Sequence, residues 1–508
     1  MPQFWQDRER NVIPRWRDFL STVLLGELNV NPPSGVDIRP PRDLTSVIAD
    51  WEQNRSISFA GDLISAALVS GNLAAARDAS EFVVSSPGED VPQLRALARR
   101  VLGNELRTQP KIAVNLDLSC GRALQGSPEI SLARKRLRNY PSDAVLWMDL
   151  AYFYAGRGLP KKAERAVRIA LNLAPGNRFI LRSAARFFIH IDRPDVAHDL
   201  IRRAPAYKGD PWLLAAEISV AQVARRTPWS VRESFSLLAA EKFGPHQLSE
   251  LSSALGTLEF HSGNSNKAKK LFRRSLIQPN DNSLAQARRI WPDVWGTPAD
   301  FNVDQFKIDR PFEAQAYEAL GREDWVTAFF ASLEWLADQP FSSEPVRLAS
   351  YLASTVFEDF ERAEALLNFG LVANPEYQVL RVGLAFCYAS TGRRNEAYSE
   401  LAQIKVPGAE DWVGAAVEAN YGLLAFRGGN VEAGRKHYGA AVRMADLIED
   451  KRTKLSALVY WANEELIVPD SNSVRLLAEA QETGKSALGF FNSFLLKRLA
   501  ERISRKLA

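Results

Sequence analysis

The sequence predicts an all-α fold, a solenoid of stacked helical hairpins with irregular helices at both ends. Three observations predict it. Apolar residues recur at helical spacing in paired runs, and glycine or proline punctuates them. The pairs themselves repeat with a period of about 34 residues. The clearest pair spans residues 146–177. Leu146, Trp147, Leu150, Ala151 and Tyr154 mark one face of a first helix. Gly156 and Gly158 supply a tight turn, and Pro160 suits the opening turn of the next helix, where an N–H is not needed. Ala163, Ala166, Val167, Ala170 and Leu171 form that helix's inward stripe, with Lys161, Lys162, Glu164, Arg165 and Arg168 outside. Pro175 and Gly176 end it. Ala151 and Ala163 let the two backbones approach, while Trp147 and Tyr154 fill the space around them, so Trp147 is expected in the core.

The pattern recurs. Ala197 stands one full period after Ala163, and Ala397 stands one full period after Ala363. Weaker copies centre on Ala268, Ala328 and Ala433, and an early one lies in residues 60–87. An irregular copy starts near Asp210, with Ser230 and Glu233 expected to form a capping box. These residues resemble the tetratricopeptide repeat (TPR) family, whose unit is a 34-residue helical hairpin. Trp147, Leu150, Ala151, Tyr154, Ala163, Ala170 and Pro175 match its pattern, and Val167 stands where the family has an aromatic. Leu384, Ala385, Tyr388, Ala397 and Leu401 match in a later copy, which lacks the closing proline. The resemblance implies a right-handed superhelical solenoid of TPR-like hairpins. It also implies binding of peptides or protein segments on a concave side lined by the first helix of each hairpin.

Charge divides the chain more sharply than its net +4 suggests. Residues 95–290 carry 33 Lys/Arg against 16 Asp/Glu, whereas residues 291–450 carry 13 against 25. The expected organisation is a helical region over 1–94 with room for a degenerate repeat, then a basic half, 95–290. An ordered joint, 291–310, leads to an acidic half, 311–450, and capping helices, 451–508. The joint holds Trp291, Trp295, Phe301 and Phe306, too aromatic for a loose linker. Residues 29–43 read as a proline-rich connection after a short helix. The last helix, with an apolar stripe and a basic outer face, is expected to cap the solenoid.

Catalytic signatures are missing from the sequence. Its two cysteines, Cys120 and Cys387, make no disulfide framework or thiolate cluster. The five histidines form no HExxH pair, so neither a metal nor a cofactor is expected. The run "EAQETGKS" at 479–486 has the Gly-Lys-Ser of a phosphate loop but a glutamate where the first glycine belongs. The stretch from Met1 to Leu20 contains no apolar core of signal-peptide length, and no apolar run is long enough to span a membrane, so a cytoplasmic location is expected.

The expected function is that of a non-enzymatic scaffold or adaptor that binds a protein partner through the solenoid surface. The alternative is a nucleic-acid-associated regulatory or sensor protein that uses the basic half. A lesser alternative is a non-catalytic subunit of an enzyme complex. Carried over from the resemblance, the partner-binding residues are Met148, Tyr152, Phe179, Arg182, Arg186, His190, Leu213, Glu217, Phe260, Val382 and Phe386. Arg182 and Arg186, one helical turn apart, suggest docking of an acidic segment. The basic and acidic halves also allow self-association of one copy with another.

Overall fold

The computed structural model describes residues 12–17, 44–69, 72–86, 92–102, 128–204, 207–240, 242–296, 299, 301–308, 310–405, 412–486 and 492–507. The proline-rich stretch 29–43 and Cys120 lie outside them, as does most of the short helix expected before that stretch; residues 12–17 are not helical. Helices without strands make up the regular structure of the described residues. They form two compact units, which divide at residue 318 rather than at the charge boundary.

The first unit holds the described residues up to 318 and residues 334–342. Its helices are α1 (Leu44–Gln53), α2 (Ile57–Val69), α3 (Leu73–Ser85), α4 (Pro92–Leu102), α5 (Pro128–Asn139), α6 (Ala144–Gly156) and α7 (Pro160–Leu173). Then come α8 (Arg178–His190), α9 (Pro194–Arg203), α10 (Pro211–Val223), α11 (Val231–Ala239), α12 (Pro245–His261), α13 (Ser265–Ser275) and α14 (Asp281–Trp295). Helices α15 (Phe312–Gly321) and α16 (Trp325–Asp338) give residues to both units. The second unit adds α17 (Ser343–Tyr351), α18 (Phe360–Ala373), α19 (Gln378–Ser390), α20 (Arg394–Ala402), α21 (Trp412–Arg427), α22 (Val431–Leu447), α23 (Lys451–Glu465), α24 (Ser473–Gly484) and α25 (Asn492–Leu507).

The architecture is an all-α solenoid of helical hairpins. Within the first unit α6 packs on α7, α8 on α9 and α12 on α13. The first helices of successive hairpins also touch one another, α6 with α8, α8 with α10, α10 with α12 and α12 with α14. Local sequence sets the boundaries. Asp143 and Asn177 cap α6 and α8 by accepting from the amides of Leu146 and Ile180, while Pro160, Pro194, Pro211 and Pro245 each open a helix.

The turn inside several hairpins carries a left-handed residue. Gly158 in α6–α7 and Asp192 in α8–α9, one repeat apart, both have positive φ. Glu358 and Gly392 keep the same step in the second unit. Glycine takes this conformation without strain, and the repeats that place Asp, Arg or Glu there are held by their packed helices. Gly434 marks a different constraint: a Cβ there would lie 2.4 Å from the Phe426 ring, so α21 and α22 pack backbone against side chain.

Three sequence expectations change. Trp147 is half-buried rather than core, and its indole donates to the Pro141 carbonyl at 2.8 Å. Ser230 makes no side-chain cap; its hydroxyl donates to the buried Glu217 carboxylate instead. Residues 291–295 complete α14, where Trp291 and Trp295 stack at 3.8 Å, so the irregular stretch begins only at Gly296. Phe301 and Val303 are buried in the same apolar cluster as Trp291.

Candidate peptide groove

A segment with no helix, strand or turn, Val12–Arg17, lies buried inside the first unit. Its surroundings are the first helices of successive hairpins together with residues 334–342. Val12 belongs to the apolar cluster of Leu214, Ala215 and Ile218 on α10 and Leu248 and Leu251 on α12. The Ile13 carbonyl accepts from Asn282 Nδ2 on α14 at 2.9 Å. Trp16 is fully buried. Its ring meets Tyr152 of α6 and Phe187 of α8 edge-on, with centroids 5.6 and 5.9 Å away, and Phe341 at 5.1 Å. Such aromatic contacts stabilise beyond the area they bury.

Two arginines flank that tryptophan and meet three carboxylates. Arg17 Nε donates to Asp338 at 2.7 and 2.9 Å, and its Nη2 reaches Asp281 at 2.7 Å. Arg15 pairs with Glu313 and lies 3.5 Å from Asp281. Arg289 and Arg310 hold the other sides of Glu313 and Asp338 at 2.9 and 3.3 Å. Burial pushes Asp281 up, but the Arg17 and Arg15 guanidiniums outweigh it and hold the carboxyl below its ordinary range. Burial likewise disfavours the Arg17 cation, and Asp281 and Asp338 overcome it. Charges this deep are tolerated because each finds an opposite charge.

The expected partner-binding residues fall in different surroundings. Tyr152, Arg186 and His190 come together around Phe341 and the tryptophan. Tyr152 donates through its hydroxyl to the Asp338 carbonyl at 2.8 Å, and Arg186 sits over the Phe341 ring and donates to Ser342 at 3.1 Å. His190 meets Phe341 edge-on at 5.4 Å. Met148, Phe179 and Leu213 are buried core.

Arg182 and Glu217 are buried in polar pairs of the fold rather than displayed. Arg182 meets Glu250 at 2.7 Å beside the Trp212 ring, and Glu217 meets His198 at 2.8 Å. The pair of arginines thus forms no open surface for an acidic segment, because Glu250 and Phe341 already occupy them. Phe260 packs half-buried on the α13–α14 cluster. In the second unit Val382 is buried and Phe386 meets Tyr460 of α23 edge-on at 5.2 Å.

Sequence reasoning missed the segment itself, along with Asp281, Glu313, Asp338 and Phe341. The available signal was "IPRWR", which lies outside any helical stripe. Several basic side chains of the second helices are engaged locally. Arg202 covers Trp229 at 3.9 Å, Lys267 pairs with Glu259, and Arg274 donates to the Leu238 carbonyl.

The second unit holds a counterpart in α25. Leu495, Leu499 and Ile503 enter the apolar cluster of α23 and α24. Arg498 and Arg502 pair with Glu358. Arg498 also donates to the carbonyls of Thr355 and Val356, in a π-helical turn at Leu352–Val356 that follows α17. "EAQETGKS" lies on α24 and the turn after it, without a strand before it. Among the described residues no helix is long and apolar enough to cross a membrane, and no group of three or more His, Cys, Asp or Glu could hold a metal ion.

The class these features define is a helical-hairpin solenoid whose first helices enclose a polypeptide segment. Among solved structures, the chain is similar to the APC/C hetero-tetramer Cut9-Hcn1, at 11% identity over 90% of this chain and 92% of that one, with a TM-score of 0.41. It is also similar to the human IFIT1 dimer with PPP-AAAA, at 11% identity over 91% and 93% and a TM-score of 0.32. No family model matches the chain, and no curated protein matches it.

Proposed function

We propose that this chain is a non-enzymatic scaffold that binds a protein partner through the inner row of first helices in its solenoid. One observation carries the reading: that row, together with residues 334–342, already holds a polypeptide segment by contacts to individual side chains, an aromatic in a ring cage and two cations on carboxylates. A surface that reads side chains one by one is built for protein segments. It favours a basic occupant over the acidic one that the arginine spacing suggests.

The nucleic-acid reading would use Arg203, Lys270 and Arg273, which are exposed on second helices. Several neighbouring cations are engaged within the fold, Arg226 with Asp195 and Asp199 and Arg193 with Glu164. That pairing lowers the free charge available to phosphates.

The test is purification of the tagged chain from nuclease-treated lysate of its native host, followed by reconstitution of the recovered partner from pure components. The expected outcome is a stable complex by size exclusion. Failure of every candidate to reconstitute, with retention of RNA or DNA by the full chain at low salt, would overturn the reading in favour of the alternative.

A further inference from the structure

The segment Val12–Arg17 is a separable element. The groove that holds it is built by first-unit residues between Tyr152 and Ser342, and residues 18–43 stand between Arg17 and the first turn of α1. Nothing in the segment bonds to itself as a helix or strand would, so its order comes from what encloses it. Five of its six positions have a receptor of their own. Apolar Val12 enters the α10–α12 cluster, the Ile13 carbonyl meets Asn282, Trp16 meets three rings, and Arg15 and Arg17 meet three carboxylates. The Trp16 indole N–H has no hydrogen-bond partner, so the cage recognises an aromatic ring rather than a donor. The space left beside the segment, next to Arg15, Asn282 and Gln339, is about 10 Å³, room for one water.

We propose that this groove is a receptor for a partner's segment with an aromatic residue between two basic ones, and that Val12–Arg17 is its resident competitor in cis. The inference rests on the scaffold reading and names the chemistry of the partner. A tethered ligand competes at an effective concentration in the millimolar range, so the groove stays closed to weak peptides and opens to a tighter one. Three fixed carboxylates beside the ring cage, with Asp281 shared between Arg15 and Arg17, set spacing as well as charge and disfavour an acidic segment by repulsion.

The test uses the full chain and a fluorescent peptide of residues 8–20, followed by anisotropy. The native chain is expected to bind it at least tenfold more weakly than a Trp16→Ala chain, whose own segment no longer fills the cage. The peptide carrying Trp16→Phe should still bind, and the peptide carrying Trp16→Ala should not. Asp281→Asn with Asp338→Asn, placed in the Trp16→Ala chain, should abolish binding.

A folded Trp16→Ala chain that ignores the native peptide would overturn the proposal. Should Trp16→Ala fail to fold, a protease site introduced within residues 18–43 of the otherwise native chain serves instead. Exchange of the severed segment for labelled peptide supports the proposal; retention until the chain melts overturns it, because the segment is then fixed core. Concentration-dependent dimers in which the segment crosses between tagged copies would assign the groove to a second copy and also overturn it. A partner recovered by the scaffold experiment should be displaced by the peptide; a partner that stays bound leaves the scaffold reading standing while this inference falls.

Discussion

The segment Val12–Arg17 in the first unit and helix α25 in the second both dock on helices of their own unit, yet they are held by different chemistry. Helix α25 satisfies its own backbone and buries an apolar stripe, Leu495, Leu499 and Ile503, with Arg498 and Arg502 fastening its flank to Glu358. The N-terminal segment has no internal bonding and depends on Asn282, a ring cage and Asp281, Glu313 and Asp338. A stripe needs only an apolar surface of the right shape. An irregular segment needs a matched group for each residue, and that dependence makes it both specific and exchangeable.

The largest effect expected from this contrast is at Trp16. Trp16→Ala should cost about 3–5 kcal/mol, the usual range for deleting a buried tryptophan. If the segment docks as a unit, the cost saturates: adding Arg17→Ala should change the urea midpoint little further, since an undocked segment has nothing left to lose. In α25, Leu499→Ala should cost about 2–5 kcal/mol, and adding Ile503→Ala should cost more, because the helix remains in the core of α23 and α24. Additive losses at the N-terminal segment would erase the distinction between the two elements.

The hairpins were legible because their causes are local and periodic. Apolar spacing gave α6 and α7, Pro160 and Pro194 gave helix starts, and Gly158 gave the left-handed turn. The choice of first helices as the lining came from the TPR resemblance rather than from periodicity, and it named Tyr152, Arg186 and His190, which gather around Trp16 and Phe341. What escaped was pairing across repeats. Nothing near Arg182 in sequence announces Glu250, which lies 68 residues away, and nothing near Arg17 announces Asp338, 321 residues away. Six residues without a period carry no signal of burial. Their composition, a tryptophan between two arginines after a proline, has meaning only once the receiving carboxylates are in place.

Mild acid should separate the units further, with a smaller effect. Burial lowers the half-buried His246 in the first unit below the ordinary histidine range, and local desolvation moves His261 at the exposed end of α12 the same way. The folded state therefore resists protonation that the unfolded chain accepts. Their stabilisation is complete above about pH 6.5 and is lost as pH falls through that value toward the folded pKa. Half-buried Glu334, raised by burial, opposes them in the same unit. In the second unit burial raises Glu464, so the folded state there takes up a proton more readily, and stability grows as pH falls toward the carboxylate range. Hydrogen exchange between pH 7.5 and 5.5 should show protection falling in α12 and holding in α23. His246→Gln with His261→Gln should flatten the first response and leave the second unchanged.

Trp147→Ala gives the smallest effect and sharpens the contrast with Trp16. The repeat pattern marks Trp147 as core, but its ring is half-buried and its indole N–H is used on the nearby Pro141 carbonyl. A partly exposed ring has less area to lose, and a single local hydrogen bond contributes about 0.5–1.5 kcal/mol net. The expected cost is therefore about 1–2 kcal/mol, read from urea unfolding, well under that of Trp16→Ala. Both tryptophans belong to the first unit, so one melt reports both. Equal costs would mean that the repeat position, not burial, sets a tryptophan's weight here, and that the cage around Trp16 adds nothing a repeat residue lacks.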